Sequence, residues 1–439
     1  MKSINQLLED YLESLNRREY FNGAILVSYQ DRIIHCKGYG IANHQLNIKN
    51  TGETRFRIGS ITKAFIAMAI LQLEQSGLID LEETLDSYIE DMIEGHKITI
   101  HHLLSHSSGI QDFASDINYW PARMRLFTTL EDTINEFKNK PLNFDPGTEF
   151  RYSNTEYAIL AYIIEKISGI TYEKYIEDNI LKPLGMESTG FDDGRKIIKN
   201  LSSGYTIWKE IINPEFVDMT NAKGAYDMYS NVKDLYLWSK ALNTEKLVSK
   251  NQLGKMFNMY NNVCGYGWFL DKDIINDMQR NKFYHLGDVN GYVNYFCRYI
   301  EDDLTIIVLS NFNLTPVEQI SKNIAAIILG EDITISQSCS VIRVDNRTLN
   351  KYIGSYLING KDNKIDIISD QDNVFITIAK RYGVLYMYEL LPINIEDSKI
   401  EFISKFIEDR VVIEITSKHQ FKLTHIDPYG KITHATKLM

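Results

Sequence analysis

The chain has 439 residues, with 58 acidic against 47 basic side chains and a formal net charge of -11. That balance argues against nucleic acid or an anionic membrane surface as a partner, and the length argues for two domains rather than one. Hydrophobic residues make up 44% and aromatics 11%, which marks a folded globular protein rather than a disordered one.

In chain order, Ile4, Leu7, Leu8, Tyr11, Leu12 and Leu15 recur at helical spacing among acids and predict an amphipathic surface helix. This N-terminus has no apolar stretch of signal-peptide length, and no later run is long enough to cross a membrane. A cytoplasmic protein is the expectation. Gly23 to Tyr29 and Arg32 to Cys36 read as two strands joined by the polar turn Gln30-Asp31 and would form the first hairpin of a sheet.

The stretch FRIGSITKAFIAMAILQL, Phe56 to Leu73, is the chemical centre of the sequence. Lys63 follows Ser60 by three positions, so on a helix the hydroxyl and the amine share one face. The helix is apolar on nearly all sides and closes at Ser76-Gly77, which predicts burial and a glycine C-cap. A lysine buried there loses hydration, its pKa falls, and it becomes a neutral base for the serine. The spacing alone is weak, because Ser230-Asn231-Val232-Lys233 shares it. That second match precedes an amphipathic segment and reads as an N-cap followed by a solvated lysine.

Asp80 to Ile93 reads as a loop or short helix, and Ile98 to Gly109 as a strand-like start that ends in a small-residue turn. His102 and His106 are four apart, but no glutamate follows His102 as a zinc-protease pattern requires. The histidines are read as hydrogen-bonding a turn beneath the active site. Asp145-Pro146-Gly147 marks a turn before Tyr152-Ser153-Asn154 and a second apolar helix, Tyr157 to Ile167, closed by Ser168-Gly169. That position would hold the Tyr152 phenol at the lip of a cleft.

Glu173 to Leu181 continues as helix until Pro183 and Gly185 stop it. Asn200 to Asn221 is read as irregular and as lining or covering the cleft, and Gly224 to Leu242 as strand then helix. Cys264 to Phe269, Phe283 to Asp288, and the pair Tyr292 to Tyr299 and Leu304 to Leu309 read as strands of the core sheet. Thr315-Pro316 starts a helix that ends at Gly330. Cys36, Cys264, Cys297 and Cys339 include no C-x-x-C pair, so neither a zinc site nor a disulfide framework is indicated and reduced thiols are expected.

The expected fold is α/β (α+β): an antiparallel sheet flanked by helices with a helical subdomain, over residues 1–335. A polar linker covers 336–346. Residues 347–439 hold short alternating strands near Ile365, Val374, Leu385, Ile400, Val411 and Phe421 and predict a small all-β barrel or sandwich.

Ser60-Ile61-Thr62-Lys63, Tyr152-Ser153-Asn154 and His285-Leu286-Gly287, in this order, resemble the serine β-lactamase and penicillin-binding-protein superfamily. The branch is the one with tyrosine in the second motif, which includes class C β-lactamases, DD-peptidases, esterases and D-aminopeptidases. LLSHSSGIQDF, PGTEFRYSNTEYAILAYIIEKISG, LKPLGMESTGF, SNVKDLYLW and GYGWF are similar to stretches of that family, so the resemblance runs from about Phe21 to Gly330. The segment from Leu349 to Tyr356 resembles the start of a lipocalin-like domain appended to many of these hydrolases.

The resemblance implies a β-lactamase or transpeptidase-like fold and a serine hydrolase that forms an acyl-enzyme on Ser60. Lys63 and Tyr152 would move protons, Asn154 would orient Lys63 and the substrate amide, and His285 would hydrogen-bond Tyr152 or the substrate. The N–H groups of Ser60 and Asp288 would meet the oxyanion, with Gly287 allowing close backbone approach. Substrates would be a β-lactam, a D-amino-acid peptide, as for a carboxypeptidase, or a small ester; no cofactor or metal is implied. Leu286 stands where the family often has a hydroxyl or glycine, which weakens the implication of a substrate carboxylate. The alternative is a penicillin-binding protein that is acylated, turns over poorly and serves as a binding or scaffold protein.

Overall fold

In the computed structural model, which describes residues 3–333, 340–417 and 420–438, the chain forms two compact units. One comprises Gly23–Ser203 and Glu215–Asn311; the other comprises Met1–Asn22, Gly204–Pro214 and Phe312–Met439.

The first unit is built on a seven-stranded antiparallel sheet. From one edge its strands are Cys264–Gly265, Trp268–Ile275, Met278–Val289, Tyr292–Tyr299, Leu304–Ser310, Gly23–Tyr29 and Arg32–Tyr39. The chain's earliest strand therefore pairs with its latest in this unit, Val27 opposite Ile306. Tyr292–Tyr299 and Leu304–Ser310 are buried along their whole length, as near-continuous apolar strands covered on both faces should be. The helix Val232–Ala241 packs on Leu304–Ser310 and Gly23–Tyr29.

Two long helices carry the centre of this unit. Thr62–Gln75 is buried at every position from Thr62 to Leu71, and Phe65 stacks on Trp238 with ring centroids 4.3 Å apart. Asn154–Ser168 packs against it. Gly77 and Gly169 follow the two helices at φ of 70° and 71°, the left-handed exits their sequences called for.

Two readings are corrected. The stretch from Ile98 is not strand-like: Ile100–Leu104 is a short helix, because Thr99 and His102 form a reciprocal capping box that satisfies the first backbone donors. Asn200 to Asn221 is not irregular throughout. Thr206–Trp208 and Glu210–Ile212 form a hairpin with Lys209 in the left-handed region, and Trp208 pairs with Met387.

In the second unit, Leu8, Tyr11, Leu12 and Leu15 are the buried face of the helix Ile4–Arg17, and Asn323 of the helix Val317–Ile328 donates to the Tyr11 hydroxyl at 2.9 Å. Eight strands form a closed barrel: Gly354–Ile358, Lys364–Asp370, Asn373–Ala379, Leu385–Glu396, Lys399–Ser404, Arg410–Ser417, Gln420–Ile426 and Ile432–Lys437. Closure comes from Gly354–Ile358 pairing with Ile432–Lys437, and the hairpin at 206–212 extends this sheet. Buried Tyr352, Tyr356, Ile376, Phe402, Ile413 and Leu423 fill the interior.

Among the described residues no helix is long and apolar enough to cross a membrane. Among the described residues Cys36, Cys264 and Cys297 are in no disulfide bond; Cys339 and the first part of the expected linker, 336–339, lie outside the described residues.

Candidate active site

Ser60 sits in a single 3-10 turn, Gly59–Ile61, that leads straight into Thr62–Gln75. The turn is sharp because Gly59 has φ +57°, and a Cβ there would lie 2.5 Å from the Asp288 nitrogen. The strand comes equally close from its own side: a Cβ on Gly287 would stand 1.9 Å from the Ile58 carbonyl oxygen. Two glycines thus let the backbone at 58–60 press against the backbone at 287–288. The strand carrying His285-Leu286-Gly287-Asp288 pairs on one side as far as Val289, but its pairing on the other side ends at Tyr284. Its last residues therefore run past their neighbour.

Lys63 is fully buried and its amine has three partners. It reaches Ser60 Oγ at 3.2 Å, Asn154 Oδ1 at 2.8 Å and the Ala225 carbonyl at 2.8 Å, the full donor complement of an ammonium. Burial pulls its pKa down to about 7, against the opposing pull of nearby acidic groups, Asp112 foremost. The amine therefore exists in both protonation states near neutrality.

Tyr152 and Asn154 stand at the start of the second long helix. The Lys63 amine lies 4.8 Å from the Tyr152 ring centroid. That ring packs on His106 at 4.5 Å and on Phe269 at 6.1 Å, and His285 is 6.4 Å away. Ser60 and Tyr152 both keep partial solvent exposure while Lys63 beneath them has none. His285 is pushed down to about 3, first by burial and then by Lys63, so its imidazole is neutral. Its Nδ1–H donates to the Leu286 carbonyl at 2.8 Å, which leaves Nε2 as an acceptor.

Sequence reading did not single out the residues that hold these groups. Asp112 accepts from both the backbone N–H and the side-chain Nδ2 of Asn154, at 2.9 and 3.1 Å. This fixes the amide so that Oδ1 faces Lys63. Glu156 is buried, and burial raises its carboxyl well above the usual range while it lowers His106. The two meet at 2.5 Å, and His106 Nδ1 also receives the Ser153 N–H. An imidazole nitrogen accepting from a backbone amide carries no proton of its own, so the carboxyl supplies it and the pair is neutral. The second Ser-x-x-Lys match is structural: Asn231 caps a helix by accepting from the Asp234 N–H at 2.8 Å, and half-exposed Lys233 pairs with Glu53. His102 caps its helix by accepting from the Thr99 N–H at 3.1 Å.

Residues 4–330 match the β-lactamase family model. The chain belongs to the β-lactamase family. The superfamily is one of serine hydrolases, and this member is 32% identical over 254 residues to the penicillin-binding protein PbpX of Bacillus subtilis, a match spanning 58% of this chain and 62% of that protein. A second Bacillus subtilis penicillin-binding protein is 27% identical across 85% of this chain and 87% of its own length. Among solved structures, the octameric penicillin-binding protein homologue from Pyrococcus abyssi aligns over 99% of this β-lactamase-family chain and 100% of its own, with 26% identity and a TM-score of 0.67. The D-amino acid amidase of Ochrobactrum anthropi SV3 shares the fold over 75% of this chain and 99% of its own, with 22% identity and a TM-score of 0.65.

Proposed function

We propose that this chain is a serine hydrolase that acylates Ser60 and then hydrolyses the acyl-enzyme, cleaving an amide or ester bond in a small substrate. The observation that carries this reading is Lys63, a buried amine with pKa about 7 lying 3.2 Å from the Ser60 hydroxyl. As free base it takes the hydroxyl proton while Oγ bonds the acyl carbon. The carbonyl becomes an oxyanion, received by the N–H of Ser60 at its helix start and by that of Asp288.

The proton then passes from the Lys63 and Tyr152 pair to the leaving nitrogen or oxygen as its bond to carbon breaks. An ester on Ser60 remains. Water attacks that ester, gives one proton to the same pair, and expels Ser60 Oγ, which regains its hydrogen; a carboxylic acid leaves. Neutral His285 offers Nε2 to the Tyr152 hydroxyl or to a substrate N–H, and Asn154 holds the amine in line.

Leu286, half-exposed beside His285, supports a substrate that presents an apolar or uncharged group there rather than a carboxylate. D-amino-acid amides and short esters are therefore the first substrates to try, with β-lactams beside them because relatives are named as penicillin-binding proteins. The test is mass spectrometry with a p-nitrophenyl ester, a D-phenylalanine anilide and a penicillin. Transient mass on Ser60 with product release is expected, and Ser60→Ala should lose both. Hydrolysis undiminished in Ser60→Ala would overturn the mechanism. A penicillin adduct that persists without product from any substrate would instead support a binding protein that is acylated and turns over poorly.

A further inference from the structure

The barrel holds a polar cluster that its apolar interior does not need. Asp409 is fully buried and accepts from Lys380 Nζ at 2.7 Å, from His425 Nε2 at 2.8 Å and from the Tyr388 hydroxyl. Burial alone would raise its carboxyl, but Lys380 and His425 outweigh burial and hold it below the usual carboxylate range. Beside the cluster is a cavity of about 370 Å³, lined by Lys380 and His425 among others, within the size range of small-molecule sites.

The chemistry of that cavity is lopsided. Lys361, Lys380, Arg381 and Lys431 line it against a single carboxylate, Asp427, and Asp427 is already engaged in accepting the Tyr429 and Lys431 backbone N–H groups. Lys380 gives only one of its three donors to Asp409. His425 is 4% exposed, and its Nε2 donates to Asp409, which holds that carboxylate in place behind Lys380. The rest of the wall is apolar, with Leu314, Ile378 and Ile407.

We propose that this cavity at the barrel is a binding site for a small carboxylate with an apolar body, its head on Lys380 and its body against Ile378, Ile407 and Leu314. A half-buried ammonium held by a buried carboxylate is pre-organised to receive an anion, and the surrounding cations raise the local anion concentration. The cavity residues belong to the barrel's own unit, and the proposal does not depend on the proposed chemistry at Ser60.

The experiment is isothermal titration of the full-length Ser60→Ala protein with benzoate and with benzamide, its uncharged counterpart. Saturable benzoate binding, about tenfold or more tighter than benzamide, is expected. The double variant Lys361→Glu/Lys431→Glu changes only exposed side chains and should weaken benzoate about tenfold with an unchanged circular-dichroism melt. Lys380→Met should abolish binding; if it unfolds, the double variant decides. Equal affinity for benzamide, unchanged benzoate affinity in the double variant, or no heat at millimolar benzoate would each overturn the proposal.

Discussion

Lys63 sets the pH at which the proposed chemistry runs. Its pKa of about 7 lies below the ordinary lysine value because burial disfavours the cation, so protonation removes the base as pH falls. On a substrate with a pH-independent leaving group, kcat/KM should drop about tenfold per unit below an acid limb near the Lys63 pKa and level off above it. Asp112 raises that pKa and anchors Asn154, and two substitutions separate these effects. Asp112→Asn keeps an acceptor but removes the charge, so the acid limb should move to lower pH with a modest loss of kcat. Asp112→Ala frees the Asn154 amide as well and should cost about tenfold or more in kcat. A limb unmoved in both variants would show that Lys63 does not feel Asp112. Gly59→Ala would place a Cβ against the Asp288 nitrogen at φ +57° and should cost about 1–3 kcal/mol of stability, read by urea denaturation, together with most of the activity. The Ser60 and Lys63 pairing was legible in their spacing on a buried helix, and Tyr152 and Asn154 chiefly through the resemblance of their motif. Asp112 and Glu156 were not, because a carboxylate acquires its meaning from partners 42 to 50 residues away.

At the scale of the element, Thr62–Gln75 was readable from two signals that agree: an apolar run too long for a strand and Ser76-Gly77 at its end. Ile98 to Ile100 misled because β-branched residues favour strands, whereas the Thr99 and His102 caps outweigh that preference over a five-residue helix. The hairpin at 206–212 is a similar case: its pairing partner, Met387, lies far along the chain, so local pattern carries little of its cause. Helix packing also sets an expectation. Phe65 is fully buried and stacked on Trp238, so Phe65→Ala should destabilise the protein by about 3–5 kcal/mol in denaturant melts. Its acid limb should stay where it is, since Lys63 keeps its partners; a limb that moved with stability would mean that the amine's environment depends on that packing.

At the scale of the whole molecule, each unit has its own hydrophobic core, and the short alternating strands expected after residue 346 form the barrel. Residues 204–214 belong to the barrel's unit, which a reading in chain order does not convey, because that membership rests on long-range pairing. The barrel's stability should depend on acid through Asp409. Its carboxyl is held below the usual range by Lys380 and His425, so the folded state binds the proton less readily than the unfolded chain does. The stabilisation is therefore fully present above the unfolded carboxylate pKa of about 4 and is lost as pH falls through the folded value. Asp409→Asn cannot lose a charge it lacks. It leaves the Lys380 cation without its carboxylate partner, and should be less stable than the parent by about 3–5 kcal/mol at neutral pH. Below about pH 4 the gap between parent and variant should narrow. Hydrogen exchange at Lys399–Ser404 and Gln420–Ile426, measured across pH, reads this directly: protection that falls in parallel for parent and variant would mean that Asp409 is not the group that acid titrates.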